Sequence, residues 1–280
     1  MAKAHRTSLL ITHAAMLLPL LVILGFFFVL PLGIVATTSL KEEQTFPSLA
    51  QYLSIFTDGF YLEVMVRTLV IGLVTTVAAL LAGYPAALLL VFSSSRWRRV
   101  FLFIIISPLF VSVIVRTYGW IVLLGPTGPI ASLFPPDIRP RMLKTEGAIV
   151  IGLMHIYIPY MVLSINSAMA KIDVRLLRAA ATLRASRWQI FKDIILPLSA
   201  PGVVAGSAIV FSLSMTAFST PVLLGGARNK TMPFLIYQEN LVLGDWQSGS
   251  ALAIVLLAIT TTVLAVVTIA SSRIVNKVGG

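Results

Sequence analysis

From Ala14 to Ala36 the chain runs for 23 residues without a charged side chain. A helix needs only about 20 apolar residues to cross roughly 30 Å of hydrocarbon. The run also exceeds the apolar core of a secretory signal, about 7 to 15 residues, so it is expected to persist as a first transmembrane helix. Similar windows recur along the chain and place six spans at about Leu9–Thr38, Met65–Phe92, Val100–Leu124, Gly147–Met169, Gly202–Leu224 and Ala251–Ser271. Composition agrees: 58% of the 280 residues are hydrophobic and 11% charged, against about 25% charged in soluble domains. The fold class is therefore an all-α membrane protein with six transmembrane helices, read as one domain over residues 1–280. Prolines inside the spans, Pro19, Pro31, Pro85, Pro108, Pro159 and Pro221, each remove a helix hydrogen bond and are expected to bend their helices.

The basic residues sort to one side. If the N-terminus is cytoplasmic, that side holds 13 of the 21: Lys3, Arg6, Arg96, Arg98, Arg99, Lys171, Arg175, Arg178, Arg184, Arg187, Lys192, Arg273 and Lys277. The opposite side holds six, Lys41, Arg139, Arg141, Lys144, Arg228 and Lys230, while Arg67 and Arg116 lie within or beside spans. This bias orients both termini toward the cytoplasm. It also accounts for the net charge of +11 without a nucleic-acid partner. The outer connections Ser39–Val64, Gly125–Glu146 and Gly225–Ser250 carry Gly-Pro, Pro-Pro and Gly-Gly turn signals and read as loops with short interfacial helices.

Several chemistries are excluded. With no cysteine, a thiolate metal site, an iron–sulfur cluster and a cysteine nucleophile fall away. His5, His13 and His155 lack metal-ligand spacing, and no phosphate-binding loop of the G-x-x-x-x-G-K-[ST] type is present. The chain is thus read as neither an enzyme nor an ATPase, with no cofactor or metal of its own. No span contains Asp or Glu, the residues a proton- or sodium-coupled transporter places near the midplane. A secondary transporter is therefore the alternative reading, and an interaction protein of the inner membrane a third. Arg116, Tyr118, His155 and Asn166 are the pathway candidates. Arg116 either faces a watery path or snorkels outward; His155 and Asn166 are read first as hydrogen-bonded packing residues. Gly202 and Gly206 form a G-x-x-x-G that permits close helix approach.

The inner connection over residues 170–200 differs from the others, being long, basic and free of glycine. Val174, Leu177 and Ala181, then Trp188, Phe191 and Ile195, fall at i, i+3 and i+7, which predicts two short amphipathic helices. Pro197 and Pro201 are expected to stop the second and restart the chain as the fifth span. A basic helical pair resting on anionic headgroups has the same pattern.

The run Arg178-Ala179-Ala180-Ala181-Thr182-Leu183-Arg184-Ala185-Ser186-Arg187-Trp188-Gln189, ending Ile194-Ile195-Leu196-Pro197, resembles the cytoplasmic EAA loop of bacterial ABC-importer permeases. That loop reads E-A-A, three residues, G, nine residues, I-x-L-P. Arg178 stands here in place of Glu and Arg184 in place of Gly. A glycine at a turn suggests positive φ, disfavoured for other residues by about 1–2 kcal/mol, so the loop is expected to turn differently. Ser112–Gly119, Thr220–Gly226 and Gly244–Trp246 are similar to stretches of the spermidine/putrescine-type permeases, in the same order.

The resemblance implies a type I ABC importer permease in the bacterial inner membrane. It implies a second, related permease, two ATPase subunits that bind ATP and Mg, and a periplasmic or lipid-anchored solute-binding protein. The ATPase would dock on the loop through Arg178, Ala179, Ala180, Arg184, Ala185, Trp188, Phe191, Ile194, Leu196 and Pro197. A polyamine is the leading solute; an opine, a phosphonate, iron or an amino-acid-like solute is the alternative.

Overall fold

The computed structural model describes residue 19, residues 22–41 and residues 47–278. Lys3, Arg6, His5, His13 and the beginning of the first expected span lie outside the described residues. Among the described residues the secondary structure is helical, without strands. Among these residues five helices are long and apolar enough to cross a bilayer: α1 (Val22–Ser39), α3 (Gly59–Phe92), α6 (Glu146–Met169), α8 (Arg187–Met215) and α11 (Trp246–Val278), the last by its portion to Ser271. Between them lie α2 (Ala50–Thr57), α4 (Ser95–Phe110), α5 (Val113–Leu124), α7 (Val174–Thr182), α9 (Ser219–Gly225) and α10 (Met232–Tyr237).

The third expected span is not a single rod. Helices α4 and α5 meet at 99°. Pro108 has no N–H to donate back to Ile104; the chain tightens into a 3₁₀ turn over Ser107–Phe110, and Val111 is extended at ψ 134°. Counted as one broken span, this bent pair brings the spans among the described residues to six. The fifth span is also displaced. It begins at Arg187 and ends at Met215, and Pro197 and Pro201 do not interrupt it. A π turn over Phe191–Ile195, in which the Leu196 N–H bonds the Phe191 carbonyl, shifts the hydrogen-bond register just ahead of Pro197, so the missing donor is accommodated without a break.

The molecule divides into two compact units, Met1–Asp58 with Ile236–Val255, and Gly59–Leu235 with Leu256–Gly280. In the first, Ser39 Oγ and the Tyr52 hydroxyl hydrogen-bond at 2.7 Å, and Ser248 Oγ donates to Gln51 Oε1 at 2.9 Å. Phe26, Phe27 and Phe28 on α1 are exposed, as suits a helix facing lipid, where apolar surface carries no penalty.

The second unit is built on α3, α6 and α8, which pack on one another. Their shared core contains Ala79, Ala87 and Leu90 of α3, Met161, Val162, Ile165 and Met169 of α6, and Ile195 and Val210 of α8. The G-x-x-x-G pair sets the closest approach. A Cβ on Gly202 would lie 2.6 Å from the Ala168 Cβ and 2.7 Å from the Ser164 carbonyl oxygen, and one on Gly206 would lie 2.8 Å from the Met161 sulfur. Only residues without a side chain allow α6 and α8 to meet so closely. A second cluster joins Ile71, Leu124, Ala148, Ile149, Leu153 and Leu224, binding α5 and α9 to the same frame. At 34 residues, α3 is about 51 Å long, well beyond the hydrocarbon thickness. Its first turns project past the apolar zone, and there Arg67 pairs with Glu63 and, at 2.8 Å, with Glu146 at the start of α6.

Candidate functional site

The connection between α6 and α8 is a tightly specified turn. Asp173 Oδ1 accepts the Arg175 N–H at 2.8 Å and starts α7. The helix ends in a Schellman motif: the Arg184 N–H bonds the Ala181 carbonyl at 3.0 Å and the Ala185 N–H bonds the Ala180 carbonyl at 3.1 Å. Arg184 is the motif's left-handed residue, at φ 61°. The expectation that arginine would turn the loop differently is therefore corrected, because the backbone adopts the conformation a glycine would favour and the side chain tolerates the strain. The next residues lock the turn. Ser186 and Gln189 form a reciprocal capping box, with Ser186 Oγ accepting the Gln189 N–H at 3.2 Å and Gln189 Oε1 accepting the Ser186 N–H at 2.7 Å.

The apolar stripe expected to face a partner is divided: Leu177, Phe191 and Ile195 turn to the spans, while Val174, Ala181 and Trp188 stay exposed. Leu177, Ile190 and Phe191 pack against the α3–α6–α8 core, which includes Ile195, and the Phe191 ring meets Tyr84 edge-on at 6.0 Å. Tyr84 in turn hydrogen-bonds Ser199 at 2.8 Å. Trp188 stacks on the outer side of Phe191 at 5.4 Å and is 68% exposed. The free apolar surface consists of Val174, Leu176, Leu183 and Trp188, with Leu183 84% exposed. Of the other expected docking residues, Arg178, Ala179, Arg184 and Leu196 are exposed, while Ala180, Ala185, Ile194 and Pro197 are half-buried. Leu176 and Leu183 lie outside the i, i+3, i+7 stripe, which is why periodicity missed them.

A second polar constellation lies within the spans. Arg116, on the first turn of α5, is half-buried, and its Nε and Nη1 are buried without a hydrogen-bond partner among the described residues. It interacts electrostatically with Tyr157 and Tyr160 of α6 and with His155. His155 Nδ1 accepts the Trp120 Nε1–H at 3.2 Å, the packing role weighed for it, and the Tyr157 hydroxyl donates to the Leu213 carbonyl at 3.1 Å. Tyr118 is 55% exposed. Asn166 stands apart from the group, 11 residues beyond His155 and so about 16 Å along α6, with its Oδ1 buried and unpartnered among the described residues. The structure thus brings Arg116 and His155 together and adds Trp120, Tyr157 and Tyr160. The sequence signal for these was Tyr157-Ile158-Pro159-Tyr160, two hydroxyls flanking a proline inside an apolar window.

Comparison with known proteins places this arrangement. Residues 76–277 match the family model described as binding-protein-dependent transport system inner membrane component. The spermidine/putrescine transport system permease protein PotB of Escherichia coli strain K12 is 34% identical over 260 residues, covering 90% of this chain and 94% of its own length. PotB of Haemophilus influenzae is 33% identical over 239 residues, covering 82% and 83%. The fold matches that of a chain from a bacterial ABC transporter involved in import of the acidic polysaccharide alginate, with a TM-score of 0.79 at 17% identity and coverage of 97% and 98%. The chain therefore belongs to the binding-protein-dependent transport system inner membrane components, as a permease subunit of an ABC importer and not an enzyme.

Proposed function

We propose that this chain forms, over its whole length as one permease domain, half of the membrane pathway of a polyamine importer, with spermidine or putrescine as solute. The observation that carries the reading is the similarity to PotB, which extends over 90% of the chain. The intramembrane chemistry is compatible with it. None of the six apolar windows read from the sequence contains a carboxylate, so a polycation would be passed along ring faces, and Trp120, Tyr157 and Tyr160 supply them. A related permease would complete the pathway, and a solute-binding protein would deliver the polyamine to the outer face.

The loop over residues 170–200 is the proposed seat of an ATPase subunit. Its core-facing stripe ties the loop to the spans, and Trp188 with Leu183 and Leu176 remains as the apolar surface a groove could take. Movement of the ATPases would then be transmitted through Phe191 to Tyr84 and so to α3 and α8. This is a two-state element biased by nucleotide on one side and by loaded binding protein on the other. The basic-residue bias puts the loop and both termini in the cytoplasm. Spermidine-stimulated ATP hydrolysis by the assembled importer tests the reading. Stimulation by spermidine together with its binding protein is expected, and hydrolysis indifferent to any polyamine would reject polyamine as the solute.

A further inference from the structure

The connection between α5 and α6 lies at the opposite end of α6 from the ATPase loop, at the edge of the apolar zone. An open cavity there has Leu124, Pro126 and Met142 among its walls and Arg139, Arg141 and Lys144 around it. The three cations are exposed. Nearby, Arg67 pairs with Glu63 and Glu146, the latter at the start of α6. Asp137 pairs with none of the three. The same connection shows Leu133 at 79% exposure and Ile138 at 66%, large apolar side chains that suit an interface with hydrocarbon and not with water.

The segment is held in place. The Lys144 N–H bonds the Leu224 carbonyl at 2.8 Å. Asn229 Nδ2 donates to the carbonyls of Lys144 and Gly225, both at 2.9 Å. Lys144 itself sits at φ 63°, a strained conformation that this bonding maintains. An apolar slot with two guanidiniums and an ammonium exposed around it matches a molecule carrying an acyl chain and a phosphodiester. Guanidinium pairs bidentately with phosphate oxygens, and the slot walls take the first methylenes.

We infer that this cavity binds one anionic phospholipid, its phosphodiester held by Arg139, Arg141 and Lys144 and its acyl chain entering along Leu124 and Met142. The lipid would fasten the α5–α6 connection to the bilayer.

Native mass spectrometry of the importer, purified through a tag on this chain, delipidated and titrated with phosphatidylglycerol or phosphatidylcholine, tests the site. One phosphatidylglycerol should be retained in preference to phosphatidylcholine. Its affinity should fall at least about tenfold in R139Q/R141Q/K144Q and also fall in Met142→Trp, which fills the slot and leaves the cations. Because Lys144 is strained, R139Q/R141Q serves as a second variant that leaves that turn intact. Equal retention of the two lipids, or undiminished phosphatidylglycerol binding by the charge variants, would overturn the site. Loss of the solute-binding protein with phosphatidylglycerol binding unchanged would overturn it as well, identifying the cations as a protein dock.

Discussion

Arg184→Gly should make the α7–α8 turn more stable, which is the reverse of what deleting a long side chain commonly does. At φ 61° the arginine bears the left-handed penalty of about 1–2 kcal/mol. Glycine removes that penalty but gains about 0.5–1 kcal/mol of unfolded-state freedom. The guanidinium is exposed and makes no ion pair among the described residues, so little else is lost. The net gain is about 0.5–1 kcal/mol, a roughly two- to fivefold shift in the opening equilibrium. Hydrogen exchange reads it directly, since the Ala185 amide is bound to the Ala180 carbonyl only while the Schellman turn is closed. Exchange at Ala185 should slow by that factor in Arg184→Gly and quicken in Arg184→Val, where a branched side chain fits the left-handed region worse. Faster exchange in Arg184→Gly would refute the reasoning and give the arginine a contact role of its own.

Other consequences separate the roles within the loop. Trp188→Ala should weaken ATPase association by about 2 kcal/mol in co-purification while the permease still inserts, whereas Phe191→Ala, which empties the contact with Tyr84, should lower the thermal stability of the permease itself. Gly202→Leu forces a side chain into space filled by Ala168 and Ser164 and should destabilise the α6–α8 pair by about 1–3 kcal/mol, seen as loss of monodisperse protein on size exclusion. Single cysteines at Ser94 and Ser186 should be shielded from an impermeant thiol reagent in intact cells while one at Ser132 reacts, all three positions being exposed; the reverse pattern would reject the orientation. Ser248, another outer-loop position, is held by Gln51 and Asp245 and is a poorer probe.

The spans were legible because hydropathy integrates over some 20 residues and the bilayer demands that length. The 99° break between α4 and α5 was not, since Pro108 looks like the other five prolines in the spans and only its neighbours decide whether a helix bends or breaks. Pro85 and Pro159 lie inside continuous helices. Helical spacing picked out Leu177, Phe191 and Ile195, which are buried or half-buried, together with Val174, Ala181 and Trp188, which are exposed, and could not separate the two sets. Leu177 and Phe191 went to the spans, and the exposed residues Leu176 and Leu183 came from the side periodicity ignores. The positive φ of Arg184 was suggested only by the glycine of related loops. The Arg67–Glu146 pair joins residues 79 apart, and such pairings are invisible without the fold. For the polar constellation, Arg116 and His155 stood out as polar residues in apolar windows, while Tyr157, Tyr160 and Trp120 passed as interior aromatics until α5 and α6 were seen side by side.

The central claim is ATP-driven polyamine import, and uptake into proteoliposomes tests it most directly. The assembled importer, with its binding protein on the accessible face, should accumulate labelled spermidine only when ATP is present at the ATPase face, and Trp188→Ala should reduce that accumulation. Accumulation driven by a proton gradient with no ATPase subunit present would contradict the account.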